Sequence, residues 1–200
     1  MRAYNPLEKR NLAESIVTEL LRKPTENIPP AQSFDGAGIY VLYYTGDFEA
    51  YQPIATRNRD GLYEAPIYVG KAVSKGGRTG GMDFEAAPGP WLYERLVEHA
   101  ESITLGSGLQ LPDFQCRYLV VDDIFIPLGE SLLIAKFQPA WNVFVKGFGN
   151  HTPGGGRFKQ QPSEWDTLHP GRTWVTNLTG KARDSDHSIN KLKLKLERTA

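Results

Sequence analysis

Short runs of β-branched and aromatic residues alternate along the chain with longer segments in which apolar residues recur at helical spacing. Three runs have the composition of short buried strands, at residues 38–44, 66–71 and 114–121. Three segments have the periodicity of amphipathic or buried helices, at residues 6–22, 90–104 and 128–137. The pattern predicts an α/β (α+β) fold: a small, mainly antiparallel, three-stranded sheet flanked by helices.

The remaining segments are polar and rich in glycine and proline. Residues 45–65 are too long for a tight hairpin and predict a loop or an arm, and residues 72–90 predict an exposed loop. Residues 146–172 interleave glycine and proline with basic and aromatic side chains, which is typical of loops that bind ligands. The alternating lysines and leucines of residues 188–198 fit either a strand or a short helix.

We expect one domain spanning residues 1–200. Within it, we expect a catalytic core over 34–145, an N-terminal helical extension over 1–33 and a C-terminal extension over 146–200. A chain of 200 residues is long enough for one sizeable core with such extensions.

Charge and composition narrow the function classes. Basic and acidic residues balance at 23 each, but residues 142–200 hold 10 basic and 5 acidic residues. A basic C-terminal third fits either contact with a polyanion or a solubilising tail. Without a long apolar run or an apolar segment after Met1, the sequence predicts a cytoplasmic protein with no membrane contact. Cys116 is the sole cysteine, which excludes an intramolecular disulfide and a cysteine-rich zinc site.

Six polar residues distributed over the predicted elements contain the parts of a one-metal nuclease: Tyr40, Tyr68, Arg95, His99, Glu130 and Asn142. Phosphodiester hydrolysis needs an activated water and cationic stabilisation of the phosphate oxygens. A carboxylate can hold one Mg²⁺, because that ion keeps most of its waters, and an arginine can clamp a phosphate through two donors. A tyrosine can accept a proton if nearby cations lower its pKa, and a histidine beside it can pass the proton onward.

By spacing alone, each of these residues also has a structural interpretation. Arg95 and His99 stand four residues apart and are typical of a solvated helix face. Glu130 falls in the first turn of its predicted helix, where the helix dipole favours an acidic residue. Tyr40 fits an ordinary strand aromatic. Two metal-site patterns are weaker: Asn150-His151 with His169 and Asn177 is too loosely spaced, and Asp122-Asp123 fits a charged turn better.

Gly38-Ile39-Tyr40 followed by Tyr68-Val69-Gly70 resembles the signature of the GIY-YIG nuclease superfamily. Arg95, Glu130 and Asn142 follow in the order which that superfamily requires. The strings at residues 147–151 and 169–172 are similar to the type II restriction endonuclease branch that cuts CCGCGG. The tripeptides are usually separated by about ten residues; the longer gap here fits a core with added DNA-holding arms.

The resemblance implies a role for each matched residue. Glu130 binds one Mg²⁺ per active site, Arg95 contacts the scissile phosphate, and Tyr40 positions or deprotonates the attacking water. Tyr68 and His99 support Tyr40, and Asn142 orients the neighbours of the metal site. Whether Tyr40 or His99 is the final base stays open.

Further candidates surround this set. Lys71 follows the second tripeptide and is either a phosphate-binding residue or a surface lysine. The 146–172 segment holds candidates for DNA binding, by base readout or phosphate contact, or else it is a structural glycine-rich wrap. These DNA-binding candidates are Lys146, Asn150, His151, Arg157, Lys159 and Arg172.

The resemblance thus implies a bacterial Mg²⁺-dependent restriction endonuclease that cuts both strands of a short, G+C-rich palindrome, CCGCGG as the first expectation. It implies 5′-phosphate and 3′-hydroxyl ends, a homodimer on double-stranded DNA, and a cognate DNA methyltransferase in the same system. Two alternatives stay open: a repair or homing endonuclease of the same superfamily, and a catalytically inactive DNA-binding protein.

Overall fold

The computed structural model describes residues 3–74, 89–154 and 157–197, except for the side chains at 186, 191 and 197. Its four strands are β1 (Glu26–Asn27), β2 (Gly38–Tyr44), β3 (Pro66–Ala72) and β4 (Phe114–Val120). Its helices are α1 (Lys9–Arg22), α2 (Gln52–Thr56), α3 (Trp91–Leu105), α4 (Ile126–Phe137), α5 (Ala140–Val143), α6 (Glu164–Leu168) and α7 (Ser185–Glu197).

The strands form one antiparallel sheet in the order β1-β4-β2-β3, so the predicted fold class is confirmed. Strand β2 lies at its centre, where Tyr40 pairs with Gly70 of β3 and with Tyr118 of β4. The sheet has one strand more than predicted, because the two residues of β1 pair with β4. Two residues are too few to show a strand periodicity in the sequence.

Strand β2 is buried on both faces, because helices cover each side of the sheet. Tyr40 and its alternate neighbours Leu42 and Tyr44 face α3 and the aromatic residues of the C-terminal segment. Ile39 and its alternate neighbours face α1 and α4. Gly129 allows α4 to approach the sheet, because a Cβ there would lie 2.8 Å from Ile39 Cδ1. Every residue of β2 is therefore a core residue.

Helix α4 begins at Ile126, two residues before its predicted start. Glu130 consequently lies in the second turn, and the prediction that it occupies the first turn is wrong. The predicted start was two residues late because Ile126 and Pro127 lie before the apolar run on which the prediction was based. Proline is common in the first turn of a helix, so Pro127 is compatible with the earlier start.

The predicted extensions pack against the core. Helix α1 lies under the sheet beside α4, and Trp165 of α6 is fully buried in the cluster that contains Tyr40. The alternating lysines and leucines near the end of the chain lie in helix α7, so this segment is a helix and not a strand. Residues 146–172 are mostly loop, with the single-turn helix α6 capped by the Ser163 hydroxyl.

Much of the predicted loop over residues 72–90 lies outside the described residues. Within the part of the chain that the structure describes, we find no helix that combines the length and the apolar character needed to span a membrane.

Candidate active site

The predicted catalytic residues converge at the free edge of the sheet, along strand β3. Tyr40 comes from β2, Tyr68 from β3, Arg95 and His99 from α3, and Glu130 from α4. The two faces of the sheet meet at this edge, so helix α4 on one face and helix α3 on the other can both reach it.

Tyr40 and His99 form a buried pair at the centre of the site. Tyr40 is completely inaccessible to solvent, His99 is 1% exposed, and Tyr40 Oη lies 2.5 Å from His99 Nε2. Burial raises the pKa of Tyr40 well above its ordinary value and lowers the pKa of His99 well below 6.5. Both groups are therefore neutral near pH 7, and they share a hydrogen bond in which the phenol is the donor when the imidazole carries its proton on Nδ1.

The direction of the Tyr40 pKa differs from the sequence argument, which required cations to lower it. Desolvation is the largest effect, and the Arg95 guanidinium offsets it only in part. A neutral phenol at this position can lose its proton to His99 as it receives another. The geometry thus favours a relay rather than a standing phenolate.

Tyr68 interacts electrostatically with both Arg95 and Glu130. Its ring centroid is 6.1 Å from that of Tyr40 and 5.4 Å from that of His99. Burial is the largest cause of its raised pKa; Arg95 lowers that pKa and Glu130 raises it. Gly70, which pairs with Tyr40 across the strands, must be glycine, because a Cβ there would collide with the Tyr40 phenol.

Arg95 is held on three sides by protein atoms. Its Nη1 donates to Glu98 Oε2 at 2.6 Å and lies 2.8 Å from His151 Nε2, while its Nη2 donates to the Gly149 carbonyl at 2.8 Å. The side chain is only 16% exposed, so Arg95 and His99 do not form a solvated helix face. Glu98 is half exposed, so solvent reaches the Arg95–Glu98 ion pair.

Glu130 pairs with Lys71, whose Nζ lies 2.8 Å from Glu130 Oε2. The carboxylate is 20% exposed, which leaves it accessible to a metal ion. No group of three or more acidic, histidine or cysteine side chains forms a metal cage within the described residues. A single carboxylate still fits Mg²⁺, because that ion takes few protein ligands and completes its shell with water and substrate oxygens.

Asn142 supports the edge strand itself. Its side-chain oxygen accepts from the Val69 amide and its nitrogen donates to the Val69 carbonyl, both at 2.8 Å. These two bonds satisfy backbone groups that strand β3 presents away from β2, between Tyr68 and Gly70. Asn142 therefore fixes the strand that carries Tyr68 and Lys71.

The C-terminal DNA-binding candidates divide into two groups. Five of them have exposed side chains: Lys146, Asn150, His151, Arg157 and Lys159. Arg172 is 3% exposed, and its guanidinium binds Asp166 and three backbone carbonyls. The expectation that Arg172 contacts DNA is corrected accordingly: its charge is used inside the protein.

Sequence reasoning missed three contributors to the site. Phe148 stacks on His99 with centroids 4.4 Å apart and planes 17° apart, the Gly149 carbonyl binds Arg95, and Glu98 pairs with Arg95. Spacing of three residues between Arg95 and Glu98 was a usable signal for the last contact. Phe148 and Gly149 belong to a loop without periodicity, so only the folded structure reveals their contacts.

A polar cleft of about 260 Å³ opens beside these residues. Arg95, His99 and His151 line it together with Glu98, Asn150 and Trp174. The cleft thus gives access to Arg95 from the side that presents Asn150 and His151 of the C-terminal segment.

The chain matches a known protein family. The family model described as the Eco29kI GIY-YIG domain matches residues 32–196, which is most of the chain and includes all of the residues described above. No curated protein matches the chain.

Proposed function

Since the chain belongs to the Eco29kI GIY-YIG family of restriction-type nucleases, we propose that it is a Mg²⁺-dependent type II restriction endonuclease. A nuclease domain of this kind binds DNA, and GIY-YIG nucleases generally use divalent metal ions. With Mg²⁺ bound, the enzyme would cut both strands of DNA at one short palindrome and leave 5′-phosphate and 3′-hydroxyl ends. The observation that carries it is the buried Tyr40–His99 hydrogen bond beside Arg95, with Glu130 at the same strand edge.

Tyr40 is inaccessible to solvent in the free protein, so the proposed reaction requires DNA binding to admit a water to its hydroxyl. That hydroxyl then positions the water and accepts its proton while the phenol's own proton passes to His99 Nε2. The structure supports this order because both groups are neutral and share a 2.5 Å contact. Arg95 and Tyr68 both influence the pKa of Tyr40, which supports a role for the phenol next to the arginine that we propose binds the phosphate. His99 is then the final proton acceptor.

Arg95 and Glu130 supply the charges that the phosphate needs. Arg95 would exchange Glu98 for the scissile phosphate, and Glu130 would hold the Mg²⁺, which when bound would supply Lewis-acid stabilisation of the departing oxygen. Lys71, released from Glu130, becomes free to contact a phosphate oxygen. Asn142 keeps strand β3 in place through its two bonds to Val69.

The exposed C-terminal residues are the proposed DNA contacts. Lysine and arginine suit guanine or phosphate, and asparagine suits adenine. A palindromic target implies a homodimer on DNA, since two-fold symmetry in the site mirrors two-fold symmetry in the protein. CCGCGG, the sequence recognised by the Eco29kI type, is the first target to test, and a methyltransferase that protects it completes the proposed system.

Plasmids with and without CCGCGG, incubated with Mg²⁺ or with EDTA, test the proposal. We expect discrete fragments only from the plasmid with the site and only with Mg²⁺, and no cutting by Glu130→Gln. Smearing or structure-specific nicks would point to a repair or homing activity. A gel shift without any cutting in Mg²⁺ would identify an inactive DNA-binding protein and refute the proposal.

A further inference from the structure

Four consecutive backbone carbonyls, those of residues 147–150, are each bound by an arginine side chain. Arg172 donates to the carbonyls of Gly147 at 3.0 Å, Phe148 at 3.0 Å and Asn150 at 3.1 Å. Arg95 donates to the carbonyl of Gly149 at 2.8 Å. Two guanidinium groups, one buried and one in the active site, therefore hold the same stretch of backbone.

This stretch is in direct contact with the catalytic candidates. The Phe148 ring stacks on the His99 imidazole, and the Gly149 carbonyl fixes one terminal nitrogen of Arg95. Space here is tight, because a Cβ on Gly149 would lie 2.6 Å from Tyr68 Oη and 3.2 Å from Arg95 Nη2. A shift of the 147–150 backbone would thus move Arg95 and uncover His99.

Arg172 is itself immobilised. Its Nε donates to Asp166 Oδ1 at 2.7 Å, and the two side chains are 3% and 1% exposed. The guanidinium carbon lies 4.7 Å from the ring of Trp165 and 4.9 Å from that of Trp174. Each guanidinium nitrogen has a partner, and a planar group with five donors suits such a site in a way that lysine does not.

We propose that Arg172, locked by Asp166, is a positioning residue that fixes the 147–150 backbone and thereby holds Arg95 and His99 in the arrangement that cleavage requires. The catalytic part of this inference rests on the proposed nuclease function. Arg172 then raises the cleavage rate without touching DNA.

The test compares Arg172→Lys with Arg117→Lys. Arg117 is the matched control because it also binds backbone carbonyls, of Lys23 and Tyr63, and lies 5.1 Å from an aromatic ring, that of Tyr43. Tyr43 belongs to the opposite face of the sheet from Tyr40. Both variants lose a carbonyl clamp, so both should lower the melting temperature, but only one clamp adjoins the catalytic residues.

For Arg172→Lys we expect a single-turnover cleavage rate about 10²-fold below that of Arg117→Lys, the loss that follows a displacement of about 1 Å. DNA affinity, measured with Ca²⁺ in place of Mg²⁺, should stay within threefold of the wild type. The His99 ring resonances should also move, because they lose the ring-current effect of Phe148. Cleavage by Arg172→Lys within threefold of Arg117→Lys would overturn the inference, as would an unmoved His99 resonance.

A second variant, Trp174→Leu, removes one aromatic neighbour of the guanidinium and leaves the charge in place. Trp174 is only partly buried, so this variant should fold even where Arg172→Lys does not. It should move the His99 resonance in the same direction and slow cleavage at least threefold; no change in either measurement would overturn the inference. If the wild type fails to cut DNA, the nuclease proposal fails, while the His99 resonances still test the positioning of the loop.

Discussion

Replacing Tyr40 with phenylalanine removes one oxygen atom from the buried centre of the site and leaves the aromatic ring in place. The ring still fills the space beside Gly70, so packing is preserved. The lost hydroxyl is the proposed contact with water and the hydrogen-bond partner of His99. The variant therefore isolates the proton relay from the shape of the site.

The substitution should lower both the cleavage rate and the free energy of unfolding. General acid–base participation is worth about 10²- to 10⁴-fold, so cleavage should fall by at least about 10²-fold, or about 2.7 kcal/mol of transition-state stabilisation. The buried His99 nitrogen also loses its partner, at a cost of about 2 kcal/mol in the free energy of unfolding. For a chain of 200 residues this corresponds to a fall in melting temperature of roughly 4–8 °C.

Tyr43→Phe is the matched control. Tyr43 lies on the same strand, is fully buried on the opposite face, and its hydroxyl accepts from Arg117 Nη1 at 2.8 Å. It should lose similar stability and keep its cleavage rate. Cleavage of the target plasmid under single-turnover conditions, with DNA affinity measured in Ca²⁺, compares the two variants. If Tyr40→Phe cuts within threefold of Tyr43→Phe, the relay through Tyr40 is refuted.

Three further predictions concern stability, the loop and the metal site. Burial lowers the pKa of His169 to about 4, so the stability that depends on its neutral form is complete above pH 6.5 and is lost as the pH falls towards 4. The free energy of unfolding, measured with urea, should fall by about 3 kcal/mol over this range. An unchanged free energy of unfolding between pH 7 and 4.5 would contradict this prediction. Gly149→Ala should cut at least tenfold more slowly at unchanged DNA affinity in Ca²⁺, because its methyl group would press on Tyr68 Oη, and cleavage at the wild-type rate would contradict it. Lys71→Met should bind Mn²⁺ about two- to fivefold more tightly by calorimetry, because a partly exposed cation no longer competes for Glu130, and weaker binding would show that Lys71 assists the metal.

Much of the sheet could be predicted because its strands are short, apolar and locally patterned. Residues 38–44 form a strand with the predicted bounds, and the strand predicted at 66–71 extends one residue further, to Ala72. The strand at 26–27 could not be predicted, since its two residues pair with Cys116 and Gln115, 90 and 88 positions away. Pairing over such distances leaves no trace in local periodicity.

The residue types at the site could be named from the sequence, but their electrostatic states could not. Spacing and resemblance singled out Tyr40, whereas the direction of its pKa depends on complete burial, which no local pattern reveals. Arg172 was misplaced for the same reason. A basic residue in a glycine- and proline-rich segment is usually exposed, but Asp166 and two tryptophans enclose this one.

The ion pairs of the molecule differ in a way that matches their proposed roles. Lys71–Glu130 and Arg95–Glu98 each have a partner at least 40% exposed, and such pairs cost little to break. They can therefore exchange partners when a metal ion and a phosphate arrive. Arg172–Asp166 is sealed from water, and removing either partner would strand a buried charge. The two exposed ion pairs can therefore open to bind charged ligands. The buried Arg172–Asp166 pair stays closed, so the backbone that positions Arg95 and His99 keeps its place.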